Sequence, residues 1–226
     1  MWLTEMQILF EDPHLIVAVK EPGVASQSDP RGGKNMMELL GAHTGAPVFC
    51  VHRLDSATGG VMVYAKTEQA AAALSALFSD HKVKKQYYAL VPGEAGGGEM
   101  RDLLWHDRTL NKSFVVDGKR KGVKEALLSY ATAAKADGVS LVDVTLFTGR
   151  THQIRVQFAS RGMPLLGDRK YGSRERCPLA LWCRCLSFVH PVTGSAVTGE
   201  CAPPEADPWT RVRWETPAAN EKEGHG

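Results

Sequence analysis

The stretch that decides the fold is Lys124–Thr148, KEALLSYATAAKADGVSLVDVTLFT. Two strand-like runs, Lys124–Ala134 and Val139–Thr148, flank Ala136-Asp137-Gly138. Asp-Gly is a hairpin signal because both residues tolerate positive φ. So short a turn joins antiparallel neighbours, whereas a parallel pair would need a long crossover. The pattern recurs in both directions along the chain. Upstream, MQILFEDPHLIVAVK (6–20) reads as two apolar strands around the turn Glu11-Asp12-Pro13-His14. Downstream, Leu186–Pro191 and Ala196–Cys201 form a last hairpin around VTGS. Gly60–Lys66, rich in β-branched and aromatic residues, and Gln86–Val91 add further strands.

Helical segments are few. Asn35–Gly41 is a short one, Thr67 caps a second through AAAALSALF, and Thr151 begins a third that stops at Gly162. Hairpins without regular βαβ alternation predict an α+β fold with a mainly antiparallel sheet. No Pro/Gly/Ser linker divides the first 210 residues, so residues 1–210 are expected to form one domain and 211–226 a poorly ordered tail. Low complexity is confined to that tail and to the tip EAGGGE (94–99).

The chain has 226 residues, 43 % hydrophobic and 23 % charged, the composition of a folded protein rather than a disordered one. Its formal net charge of +2 argues against a polycationic, histone-like binder. The sum hides clusters, however. Residues 82–124 hold ten basic and five acidic side chains, residues 150–184 hold eight and two, and residues 200–226 hold three and six. The longest stretch without Lys, Arg, Asp or Glu, Cys185–Gly199, is too short to span a bilayer, and Met1–Glu5 has no signal-peptide character. A cytoplasmic protein without membrane contact is expected. The five cysteines are odd in number and contain no Cys-x-x-Cys, so they read as small apolar residues rather than a disulfide framework or metal site. In the strand LWCRCLSF, Cys183 and Cys185 are two apart and are expected on one face.

Three polar stretches could carry chemistry. Val51–Gly60 (VHRLDSATGG) sets Arg53 and Asp55 between apolar sequence and a strand; by itself this is a surface loop with an ion pair as readily as a site. Thr148–Arg155 (TGRTHQIR) gathers polar side chains at the start of a helix, where backbone N–H groups favour anions and Arg155 can meet a distant carboxylate. Ile154 and Phe158 equally suit a buried helix face. In Lys84–Leu90 (KKQYYAL), Tyr87 and Tyr88 point to opposite sheet faces, one towards the core and the other free to stack.

Together and in this order, these stretches resemble the RluA-type RNA pseudouridine synthases. The likeness runs from about residue 7 to 194 through ILFEDPHLIVAVKEPG, HRLDSATGGVMVYAKT, KKQYYALV, TGRTHQIRVQFASRGMPLLGDRKYG and LSFVHPVTG. It implies a single α+β domain with a central mixed, mostly antiparallel sheet. It also implies isomerisation of uridine in structured RNA, ribosomal or transfer, with neither metal nor organic cofactor. By the same resemblance Asp55 is the essential carboxylate, Tyr87 stacks on the uracil and Arg155 pairs with the carboxylate. Arg53 enters the space of the flipped nucleotide, and Ile154 lines the uracil pocket. His52, Thr58, Arg150 and His152, in the same motifs, are assigned to substrate binding. A carboxylate in a closed pocket stays ionised only with a cation beside it, hence the need for Arg155. A monomer without a separate N-terminal RNA-binding module is the expectation.

The chain departs from the family pattern at three places. Gly59 stands where the signature has serine, Val19-Lys20-Glu21-Pro22-Gly23 replaces Asn-Lys-Pro-x-Gly, and Trp182 stands where Leu-His is common. Trp182 reads as core packing or as an altered RNA contact. A non-catalytic RNA-binding or folding factor is the alternative function, although intact Asp55, Tyr87 and Arg155 argue against it. A glycosidic hydrolase would need a second carboxylate partner.

Overall fold

The computed structural model describes residues 6–28 and 32–214. The described elements are β1 (Ile8–Glu11), β2 (Leu15–Lys20), α1 (Met36–Thr44), β3 (Phe49–Cys50), β4 (Gly59–Ala65), α2 (Glu68–Ser79) and β5 (Lys84–Pro92). They continue as β6 (Gly97–Asp107), β7 (Lys112–Val115), β8 (Val123–Ala136), β9 (Val139–Leu146), α3 (Gln153–Ala159), β10 (Leu181–Val189) and β11 (Ala196–Glu200). The deciding hairpin forms as its turn chemistry requires. Ala136 pairs with Val139, and Asp137 and Gly138 both adopt positive φ, 49° and 75°.

All the strands join one sheet in the order β1-β2-β4-β10-β5-β9-β8-β6-β7, with β3 on β4 and β11 on β10. Among the described strands only β4 and β10 pair in parallel, so the sheet is mixed and mostly antiparallel. Strands β2 and β4 are buried along their whole length, which explains their unbroken apolar sequences. On one face the sheet carries the larger core, to which the helices contribute Leu40, Leu74, Ile154 and Phe158. The other face holds a smaller cluster of Tyr88, Leu90, Trp182, Trp209 and Val212. Tyr87 belongs to the first face and Tyr88 to the second, as strand alternation requires.

The helices start at their expected caps: Asn35 accepts from the Glu38 N–H and Thr67 from the Ala70 N–H. Helix α1 runs on past Gly41 and ends at Gly45, which is left-handed. Helix α3 is shorter than expected. His152 is left-handed, which delays the helix to Gln153, and it comprises the seven residues Gln153–Ala159.

Three expectations need revision. Cys183 and Cys185 do not share a face, because β10 bulges between them. The extra residue, Arg184, shifts the alternation, so that Leu181 and Cys183 before it and Leu186 and Phe188 after it all enter the larger core. Second, Gly97 and Gly98 are not loop but the start of β6, whose hairpin with β7 escaped the sequence reading. Gly, Glu, Arg and Asp in β6 contradict strand propensity; pairing to β8 overrides it. Third, the body extends past residue 210: Val212 is buried and Trp214 packs against the smaller cluster. The remainder of the expected tail lies outside the described residues.

The departures at positions 59 and 182 prove to be one feature. Gly59 and Trp182 are partners in the parallel β4–β10 pairing. A side chain on Gly59 would run into the Trp182 ring and stand 2.9 Å from Pro22 Cδ. Trp182 is buried, and its indole N–H donates to Cys201 O at 2.9 Å. Its role is packing. Gly59→Ser should therefore destabilise the fold by about 1–3 kcal/mol through overpacking. Adding Trp182→His to that variant should restore part of the loss, which urea denaturation of the two single variants and the double will measure.

Candidate active site

The loop before β4 is held from beneath by a buried cation. Lys20 has no exposed surface, and its Nζ donates to the carbonyls of Val24 (2.8 Å), Ser56 (3.1 Å) and Glu21 (3.2 Å). Burial pushes its pKa down to about 8, against the pull of Asp55 and Glu21. Ser26 Oγ donates to Leu54 O (2.8 Å) and accepts the Leu54 N–H (3.1 Å). The Thr58 N–H closes the turn on Asp55 O at 2.9 Å. Asp55 thus projects from a backbone fastened on both sides.

From α3, Arg155 reaches two carboxylates. Its Nε and Nη2 donate to the two oxygens of Asp168 at 2.7 and 2.8 Å, a bidentate pair. Its Nη1 donates to Asp55 Oδ2 at 2.8 Å. Burial opposes the guanidinium charge, but Asp168 and then Asp55 outweigh it and raise the pKa further. The Arg155 guanidinium also stacks 5.2 Å from the Tyr171 ring centroid. His152 Nε2 faces the same Asp55 Oδ2 at 3.5 Å. Asp55 Oδ1 has no hydrogen-bond partner among the described residues, and its side chain remains 31 % exposed. One oxygen is tethered and the other is available for chemistry.

Tyr87 lies in β5 opposite Cys183 and Val144 and is buried on the same sheet face. Burial, the Cys183 thiol and the Asp55 carboxylate all push its phenol well above the ordinary value, so it keeps its proton at neutral pH. The cluster is thus a carboxylate, a fixed guanidinium, an imidazole that burial keeps neutral and a protonated phenol. Such a set can attack or deprotonate a sugar without a metal. Among the described residues no three His, Cys, Asp or Glu side chains stand close enough to hold a metal ion.

Comparison with known proteins fits this geometry. Residues 14–160 match the RNA pseudouridylate synthase family. The ribosomal large subunit pseudouridine synthase D of Zymomonas mobilis is 31 % identical, over 88 % of this chain and 70 % of its own. The dual-specificity RNA pseudouridine synthase RluA of Escherichia coli is 34 % identical, over 87 % of this chain and 91 % of its own. The solved structure of human RNA pseudouridylate synthase domain containing 4 shares the fold with a TM-score of 0.72 at 24 % identity, over 88 % of this chain and 89 % of that one. The chain belongs to the RluA-type RNA pseudouridine synthases. It is an enzyme that acts on RNA.

Within this synthase the remaining candidates divide into two groups. Arg53 is exposed, two residues before Asp55, and forms no ion pair among the described residues. The Arg150 guanidinium donates through Nε to Glu125 O at 2.8 Å. Ile154 is buried in the core beside Arg155. The His52 side chain, by contrast, is committed to the scaffold. The His52 ring stacks on Phe78 at 4.4 Å, and its Nε2 accepts the Val63 N–H at 3.1 Å. Burial and nearby Lys85 hold His52 neutral, with a pKa near 3. Thr58 is buried, and its hydroxyl has no partner among the described residues.

Asp168 and Lys20 were not singled out from sequence as site residues. Asp168 lies in GDRKYG, within the resemblance, and an unpaired acid that close after Arg155 was the available signal. Lys20 lies in the altered opening motif, where an apolar strand ends on a cation. Because Asp168 is buried against a buried guanidinium, Asp168→Ala should cost about 3–5 kcal/mol of stability. Chemical denaturation will test it, and activity should fall with the loosened Arg155.

Proposed function

We propose that this synthase converts uridine to pseudouridine in structured ribosomal or transfer RNA, with Asp55 as the essential carboxylate. The supporting observation is the tethering of Asp55 through Oδ2 alone, which leaves Oδ1 for the substrate. The reaction breaks the bond between N1 of uracil and C1′ of ribose and forms one between C5 and C1′; the proton on C5 is lost and N1 gains one. Asp55 Oδ1 can serve either as the nucleophile at C1′ or as the base that removes the C2′ proton.

The target uridine has to leave its stack, at a cost of a few kcal/mol. Arg53, exposed and without an ion pair among the described residues, is suited to fill the space it vacates. The Tyr87 ring and Ile154 form the apolar surroundings in which a briefly detached uracil can turn, and base–aromatic stacking is worth about 1–3 kcal/mol. No helix among the described residues is long and apolar enough to cross a membrane. We place the enzyme in the cytoplasm as a monomer acting on RNA.

One exposed basic stretch lies at the β7–β8 connection, and a second, Arg169, Lys170, Arg174 and Arg176, follows Asp168. Lys119, Arg120, Lys121 and Lys124 are exposed, and the Arg120 guanidinium stacks on Trp105 at 5.3 Å. The β6–β7 hairpin that leads into the β7–β8 connection is tied to the site, because the Ser113 hydroxyl donates to Thr151 O at 2.6 Å.

Pseudouridine mapping across cellular RNA, with and without the gene, names the target: a site that disappears is the substrate. Restoring the gene as Asp55→Asn should leave that site unmodified while the purified variant still folds and binds the RNA. Modification at the normal rate would remove Asp55 from the mechanism. An unchanged map on gene loss would instead favour a binding or folding factor. A second outcome concerns charge. Binding should weaken steeply with salt, and replacing Lys119, Arg120 and Lys121 with glutamine should flatten the slope of log K against log salt by roughly two units.

A further inference from the structure

His152 is the N-cap of α3, yet its backbone is left-handed (φ 54°, ψ 25°) and its side chain makes no capping bond. A non-glycine residue held there costs on the order of 1–3 kcal/mol, so its surroundings must impose it. Its ring lies between two groups. Nδ1 is 2.9 Å from the Tyr171 hydroxyl, and Nε2 faces Asp55 Oδ2 at 3.5 Å. The Tyr171 hydroxyl accepts the Ser113 N–H at 2.8 Å, which leaves its own proton for Nδ1. Burial raises the Tyr171 pKa and so keeps that proton in place, and burial lowers that of His152, so the ring is neutral near pH 7. A neutral ring that accepts at Nδ1 carries its hydrogen on Nε2, against the carboxylate. The other tautomer would set a lone pair against Asp55.

We infer that Tyr171 is a positioning residue of the active site, whose hydroxyl, anchored by Ser113 of β7, fixes His152 as the Nε2–H tautomer facing Asp55. The Arg155 guanidinium then holds Asp55 Oδ2 by a hydrogen bond, and the Nε2–H of His152 faces the same oxygen at 3.5 Å, so that both favour the orientation that leaves Oδ1 for the substrate. The inference rests on Asp55 being the catalytic carboxylate.

The test is ring-nitrogen NMR on protein labelled with 15N-histidine, with the His152 signals identified by their loss in His152→Gln. The wild type should show one tautomer, protonated at Nε2. Tyr171→Phe should show a mixture of tautomers and form pseudouridine about tenfold more slowly in a single turnover, the loss of about one hydrogen bond, with RNA affinity unchanged. An unchanged His152 pattern or an unchanged rate would overturn the inference. Should Tyr171→Phe fail to fold, the histidine variants decide. His152→Gln, whose amide can present an N–H to Asp55, should retain more activity than His152→Leu, and equal losses would overturn the inference. Asp55→Asn, assayed alongside, separates the two readings. If it is active, the carboxylate assignment fails; if it is inactive while Tyr171→Phe behaves as wild type, only the role of Tyr171 fails.

Discussion

The buried guanidinium of Arg155 is the constraint around which the site is arranged. Removing a cation from water costs several kcal/mol unless carboxylates and hydrogen bonds replace the solvent. Asp168, itself buried, satisfies two of its N–H groups bidentately. The third contact goes to Asp55, the carboxylate that retains exposure. The two acids thus divide the work: one neutralises the arginine and the other is oriented by it. The position of Arg155 is in turn set by Gln153, two residues earlier. Gln153 Oε1 accepts the Thr148 hydroxyl and the Arg150 N–H, while its Nε2 donates to Leu127 O in β8. A seven-residue helix is too short to hold its place by its own hydrogen bonds. Gln153 and the burial of Ile154 and Phe158 do so instead.

The other half of the site depends on the centre of the sheet. Strand β10 lies between β4 and β5, so the strand that follows Asp55 and the strand that carries Tyr87 have fixed separation. Close approach of β4 to β10 requires glycine at 59 and 60; at Gly60, where φ is 119°, any side chain would meet the Cys183 backbone. The large Trp182 then fills the room beside Gly59. Losing serine at position 59 does not leave the loop unanchored, because Lys20 and Ser26 grip it through backbone carbonyls and the Leu54 N–H.

Much of this was legible in the sequence because the signals were local. The Asp137-Gly138 turn, the Asn35 and Thr67 caps and the unbroken apolar runs of β2 and β4 each follow from residues within a few positions of one another. Asp55 and Arg155 lie a hundred positions apart, and only the family resemblance brought them together before the geometry did. What stayed hidden depends on tertiary context. The β10 bulge has no sequence mark of its own, since Arg184 is set by Asp143 of β9, beyond β5, and Glu200 of the adjacent β11. Strand β6 is polar because much of it is solvated. His52 looks like a ligand in sequence, but its ring is committed to Phe78 and Val63, contacts that no spacing rule reveals.

The structure also explains how a near-neutral chain can present a surface suited to phosphate. Many of its acids already neutralise arginines beneath or beside the sheet: Asp55 and Asp168 on Arg155, Asp143 and Glu200 on Arg184, and Asp102 on Arg161. At physiological ionic strength charges are screened beyond about 8 Å, so these pairs look neutral from outside. Lys119, Arg120 and Lys121 are exposed together on one connection and Lys124 at the start of β8, with Asp117 the only acid between residues 116 and 124. A net charge of +2 therefore averages an internally compensated core with a locally positive rim. It is the rim, not the sum, that an approaching polyanion meets.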